Sequence, residues 1–186
     1  MSTDRAADFP IWATVQLDQI SPAELLDKIE RCGQVRLGEG VRELANRITP
    51  SPAGEIKLVR IKPEDLGLTP RSNFNWVYQT AINSGLGLIP EVVPLYAAMA
   101  APEVESEISL EPGERIIFVT KSVVDAKGRW VFDLYHRPVK ALLAYELWEL
   151  EIRSANIGSQ PEKSQDFFSD LFDRRVGPKE SVVFAR

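Results

Sequence analysis

The sequence holds one cysteine, Cys32, and one histidine, His136. A lone thiol excludes an intrachain disulfide, and a lone imidazole leaves no Cys/His set for a zinc site. Metal held by carboxylates alone stays open, but no motif assigns a metal or a cofactor, and none is expected. Positive charge is also short: 22 Lys and Arg against 27 Asp and Glu give a net charge of -5. A chain that tracks a phosphate backbone normally shows a basic stripe or a high pI, so nucleic acid is not an expected partner. The opening residues, Met1 to Asp8, lack the basic start and apolar core of a secretory signal, and no apolar run approaches the roughly 18 residues of a membrane span. The expected location is the cytoplasm, with no membrane contact.

What is present is an ordinary globular composition. The 186 residues are 44% hydrophobic and 26% charged, enough for one well-buried core and too few for two comfortable domains. The expected organisation is a single α+β domain over residues 1–153, a linker with a short amphipathic segment over 154–180, and a C-terminal strand over 181–186 that returns to the sheet.

The stretch from Asn73 to Met99 organises the chain. Phe74, Val77, Tyr78, Ala81 and Ile82 recur at helical spacing and share one face. Ser72 or Asn73 can cap this helix, and Gly85 suits the left-handed position just past its end. The apolar run from Leu86 to Tyr96 follows, interrupted by Pro90, Glu91 and Pro94.

Upstream, Val15 and Leu17 alternate with polar neighbours as in a short strand. Ser21-Pro22-Ala23-Glu24 has the make-up of a capping box, opening a helix that runs through Leu25, Leu26 and Ile29 to Cys32 and stops at Gly33. A second helix carries Val41, Leu44, Ala45 and Ile48. Two short helices around a glycine turn invite a helix-turn-helix reading. The outward side chains Glu39, Arg42, Glu43, Asn46 and Arg47 are of mixed charge without a basic surround, which favours a helical hairpin covering a sheet.

The run from Glu55 to Ile61 reads as a strand whose apolar phase shifts at Leu58-Val59, as in a bulge or a strand covered on both faces. Ala100 to Gly113 is a polar connection with a candidate strand at Ile108 to Leu110. From Arg115 the period becomes two. Ile116, Phe118 and Thr120 form one such series and Trp130, Phe132 and Leu134 another, with Asp125-Ala126-Lys127-Gly128 as a hairpin loop between them. Val139 to Ile152 has helical composition in its first half and strand alternation at Trp148, Leu150 and Ile152. The whole predicts an antiparallel-rich sheet of about five or six strands with the N-terminal helices and the 73–84 helix packed on one side.

Read in order, Ala23-Glu24-Leu25-Leu26, Leu44-Ala45-Asn46-Arg47-Ile48, Glu64-Asp65-Leu66-Gly67 and Gly85-Leu86-Gly87-Leu88-Ile89-Pro90-Glu91-Val92-Val93-Pro94-Leu95 resemble a family of uncharacterised bacterial proteins. That family carries an "ELGL-x-x-PAEVGP-x-L" signature and a C-terminal "FVF-x-R" strand, matched here by Val182-Val183-Phe184-Ala185-Arg186. Its Arg-containing "LRLQY" strand is replaced by Leu95-Tyr96-Ala97-Ala98-Met99, and 155–179 resembles an insertion. The resemblance bears on fold and brings no settled activity.

Three groups of residues compete as functional sites. Trp76 points away from the apolar face of its helix beside Asn73, Thr80 and Asn83. A large aromatic among hydrogen-bonding groups suits a protein-binding spot, against the plainer reading of packing under a loop. Phe167, Phe168, Leu171 and Phe172 form either a docking helix for a partner or a flap on this protein's own core. Asp133, Tyr135, His136 and Arg137 bring together catalytic residue types. A small hydrolase or nuclease would take His136 as general base and Arg137 against an anion, with Asp133 and Glu91 as its carboxylates. No nucleophile elbow, phosphate-cradling loop or paired-carboxylate spacing accompanies them. Glu91 itself is either an acceptor for backbone donors or an acid of raised pKa. The preferred reading is a non-enzymatic interaction or regulatory protein of the bacterial cytoplasm, its partner another protein of unspecified identity.

Overall fold

The computed structural model describes residues 5–70, 72, 74–103, 106–108, 110–120, 123–125, 128–137, 148–154 and 176–186. In chain order these form β1 (Ala13–Leu17), α1 (Pro22–Cys32), β2 (Val35–Leu37), α2 (Val41–Ala45), β3 (Gly54–Ile61), α3 (Phe74–Asn83), α4 (Val93–Ala100), β4 (Arg115–Phe118), β5 (Val123–Asp125), β6 (Gly128–His136), β7 (Trp148–Ser154) and β8 (Glu180–Ala185), with 3₁₀ turns at Ala6–Asp8 and Pro63–Leu66.

The strands make one sheet in the order β1-β3-β8-β4-β6-β7-β2, with β5 pairing beside β6. The α+β class and the antiparallel bias hold. The expected five or six strands become seven along the path, and two pairs are parallel: β4 with β8, and β2 with β7. The added strand that local pattern did not announce is β2. It has only three residues and exists through its register with β7, Val35 opposite Trp148 and Leu37 opposite Leu150. Its presence between α1 and α2 also removes the helix-turn-helix reading. The Arg42 guanidinium is held by Asp27 and Glu30 of α1.

The C-terminal strand lies at the centre of the sheet, between β3 and β4. Val182, Val183 and Phe184 are all fully buried, the continuous apolar run expected of a strand covered on both faces. Adjacent residues of β3 and β8 belong to different cores. Leu58 and Val183 pack with α1, α2 and α4, while Val59, Val182 and Phe184 pack with Phe74, Val77 and Ala81 of α3. Because neighbouring side chains leave a strand on opposite faces, α3 covers the face opposite to the N-terminal helices. The single-sided packing expected from sequence is corrected accordingly. The phase shift at Leu58-Val59 is this two-sided burial.

Local chemistry sets the helix ends. Ser21 Oγ accepts from Glu24 N at 3.2 Å, and Gly33 closes α1 with φ +67°. Residues Val93 to Ala98 of α4 are all buried, and the helix packs on α1 and β1. Tyr96 ties it to the end of β1, donating to Asp18 O at 2.6 Å and accepting from Asp18 N at 3.1 Å. Ile108 and Leu110 are buried outside any strand. Among the described residues no helix is long and apolar enough to cross a membrane.

Candidate functional site

Helix α3 lays Phe74, Val77 and Ala81 into the core and leaves Trp76 outward, 63% exposed. Thr80 and Asn83 follow at the i+4 and i+7 positions, half-buried and exposed, so one solvent-facing stripe carries the aromatic and two hydrogen-bonding side chains. The helix is fixed at both ends. Val176 N donates to Ser72 O at 3.2 Å, and past the last turn Gly85 takes φ +92° while its N–H reaches Ile82 O at 3.0 Å. Asn73, Phe167, Phe168 and Phe172 lie outside the described residues.

The catalytic residue types around β6 are placed differently. Asp133 and His136 leave opposite faces of the strand. On one face Arg115 Nη1 of β4 lies 2.7 Å from Asp133 Oδ2 and 2.8 Å from Glu151 Oε2 of β7, with its guanidinium 4.6 Å above the Tyr135 ring. The strand register creates this cluster. Ile117, Asp133 and Glu151 lie side by side across three strands, and Arg115 is level with Tyr135 two pairs away, on the same face. Asp133 is fully buried. Burial pushes its carboxyl up to about 6, against the opposing pull of Arg115.

On the other face the His136 ring stacks on Trp148 at 4.4 Å, nearly parallel, and Nδ1 lies 2.6 Å from Leu110 O. Since a carbonyl only accepts, Nδ1 is the protonated nitrogen. Arg137 faces Glu149 at 3.9 Å. Glu91 stands far along the chain, half-buried at an open cleft of about 470 Å³ between 49–52 and 88–91. Its lining contains neither the imidazole nor Asp133. Asp133, His136 and Glu91 thus occupy three different surroundings. Among the described residues, no three His, Cys, Asp or Glu side chains are grouped to hold a metal.

No protein-family model matches the chain, and neither a curated protein nor a solved structure matches it.

Sequence reasoning singled out Asp133 without Arg115 or Glu151, its two charged neighbours. It also passed over a second cluster, in which Arg60 donates through Nε to the buried Ser181 Oγ at 2.7 Å and pairs with Glu114 at 2.9 Å. The signal available was a charge inside each alternating strand, Arg60 and Arg115, but their partners lie on strands far away in sequence. Arg115 joins carboxylates across the neighbouring strands β4, β6 and β7, and Arg60 ties β3 to β8 and to the segment just before β4.

Proposed function

We propose that this protein is a non-enzymatic interaction or regulatory module of the bacterial cytoplasm that binds another protein through the outer stripe of α3. The observation that carries this reading is the exposure of Trp76 on a helix whose other face is firmly buried. Tryptophan brings a large contact area at low entropic cost, and it is enriched where interfaces concentrate their energy. Thr80 and Asn83 supply polar groups for the rim of such a contact. The separation of Asp133, His136 and Glu91 weighs against the hydrolase or nuclease reading.

The test is a photo-crosslinker placed at Gln79, next to the stripe, in the native host, followed by mass spectrometry. The expected result is a defined adduct that Trp76→Ala removes, while the melting temperature stays within the range set by about 0.5 kcal/mol for a surface substitution. An unchanged adduct pattern in Trp76→Ala, or an activity abolished by His136→Ala with no partner found, overturns the reading.

A further inference from the structure

Among the described residues, strand β1 ends the sheet and pairs with one strand only, β3. Its free edge is not left bare. Thr14 N–H donates to Glu107 Oε2 at 2.7 Å, a carboxylate brought from 93 residues later. Backbone groups alternate sides along a strand, so if the Thr14 N–H points outward, the Gln16 N–H does as well, and the carbonyls of both residues accompany them. Among the described residues, no group bonds the Gln16 N–H from outside. Charged side chains are a common guard on open edges, and here the guard occupies one of two outward donors.

Two features say what could replace it. Ile11, just before the strand, is 42% exposed, and with Trp76 it is one of the two large hydrophobic side chains exposed among the described residues. Glu107 on Thr14, Asp18 just past the strand and Glu55 beside Gln16 outnumber Lys57, which pairs with Glu55 at 3.8 Å. The edge from Thr14 to Asp18 is therefore acidic, with an apolar entrance at Ile11, while the cations Arg60, over Trp12, and Arg186, on Phe9 O, lie at the start of the strand.

We propose that β1 is a strand-addition site for an extended segment of another protein with alternating apolar and basic residues. Glu107 guards the edge while it is empty. When the added strand takes the Thr14 N–H, Glu107 turns to a basic side chain of that strand, so the carboxylate keeps a partner in both states. The site is distinct from the α3 stripe, and either can fail without the other.

The probe is the peptide acetyl-Lys-Val-Lys-Val-Lys-Val-amide, added to the ¹⁵N-labelled full chain and followed by amide shifts and hydrogen exchange. Saturable shifts at Thr14 and Gln16 are expected, with slowed exchange of the Gln16 amide. A version N-methylated at alternate residues, which cannot form the ladder, should not bind. Thr in place of Lys should weaken binding about tenfold and Glu in place of Lys further, as one charge-assisted pair implies. In Glu107→Ala the advantage of the Lys peptide over the Thr peptide should shrink, since Asp18 and Glu55 remain, and the Thr peptide should bind more tightly than it does to the wild-type chain because the guard is gone. The proposal is overturned by absence of saturable shifts on β1, by equal binding of the N-methylated peptide, or by a Lys preference that Glu107→Ala leaves undiminished. A peptide-free dimer paired through β1 would assign the edge to a second copy and overturn it too.

Discussion

Phe132, Leu134 and His136 leave one face of β6, while Asp133 and Tyr135 leave the other. The first set enters the core beneath α1, α2 and α4, where Phe132 and Leu134 are fully buried and His136 closes the end against Trp148. The second set meets charge: Arg115 bridges Asp133 and Glu151 over the Tyr135 ring. One strand thus joins an apolar and an ionic layer through the thickness of a single sheet. The contrast teaches why residues that look catalytic in sequence do not converge. Alternation sends the acid and the imidazole to different solvents, one stabilised by a guanidinium and one by an indole face.

The apolar face should be the less forgiving. Truncating Phe132 removes a fully buried ring from under the helices. Phe132→Ala is expected to cost about 4 kcal/mol in urea unfolding, through lost burial and the cavity left behind. A loss below about 1 kcal/mol would show that this face relaxes easily, and the comparison would fail.

The ionic face should respond next, and in a pH-dependent way. Arg115→Met takes the guanidinium from a buried carboxylate and is expected to cost roughly 3 kcal/mol at pH 7. The folded-state pKa of Asp133, about 6, lies above its ordinary 3.8, with burial the leading cause. A carboxyl raised in this way holds its proton more tightly when folded. Its favourable contribution is complete below about pH 4 and is lost as pH rises through about 6. Two outcomes follow from that sign. The cost of Arg115→Met should shrink at pH 5, where Asp133 is mostly neutral in the folded state, and Asp133→Asn should remove the part of the stability decline between pH 4 and 6 that this group causes. A cost of Arg115→Met that does not change with pH would mean that Glu151, and not Asp133, is the partner that matters.

The legible parts of this fold were those encoded within about ten residues. The Ser21 cap, the Gly33 stop, the outward Trp76 and the pairing of Asp125 with Gly128 all follow from local spacing, and the structure shows each one. What sequence could not reach depended on partners brought from elsewhere. β2 is a strand because β7 is next to it. β8 lies in the middle of the sheet because β3 and β4 flank it, which no six-residue pattern states. α4 is buried on all sides, so it lacks the periodicity that separates helix from strand in a short apolar run. The Arg115 cluster needs the register of three strands at once. Of the candidate site, the exposure of Trp76 was readable because it depends on one helix.

His136 marks the boundary between the two layers, and its replacement should have the smallest effect of the three. Its ring makes two contacts: the stack on Trp148 of β7 within the sheet, and the Nδ1–H bond to Leu110 O, which fixes the 110–114 segment to it. The backbone adds two more, from Gly113 N to His136 O at 2.7 Å and from His136 N to Glu114 O at 3.0 Å. These do not depend on the side chain. His136→Ala should therefore cost only about 1–2 kcal/mol, the sum of one half-buried hydrogen bond and one aromatic pair. His136→Phe keeps a ring over Trp148 and loses only the donor, so it should recover about half of that. The matching observable is faster amide exchange in 111–114 for the alanine variant, with β6 itself unchanged. If His136→Phe were no better than His136→Ala, the stack would contribute nothing and the bond to Leu110 would account for the whole effect. If either cost as much as Phe132→Ala, the imidazole would belong to the core, and the boundary drawn at the end of β6 would have to move outward by one residue pair.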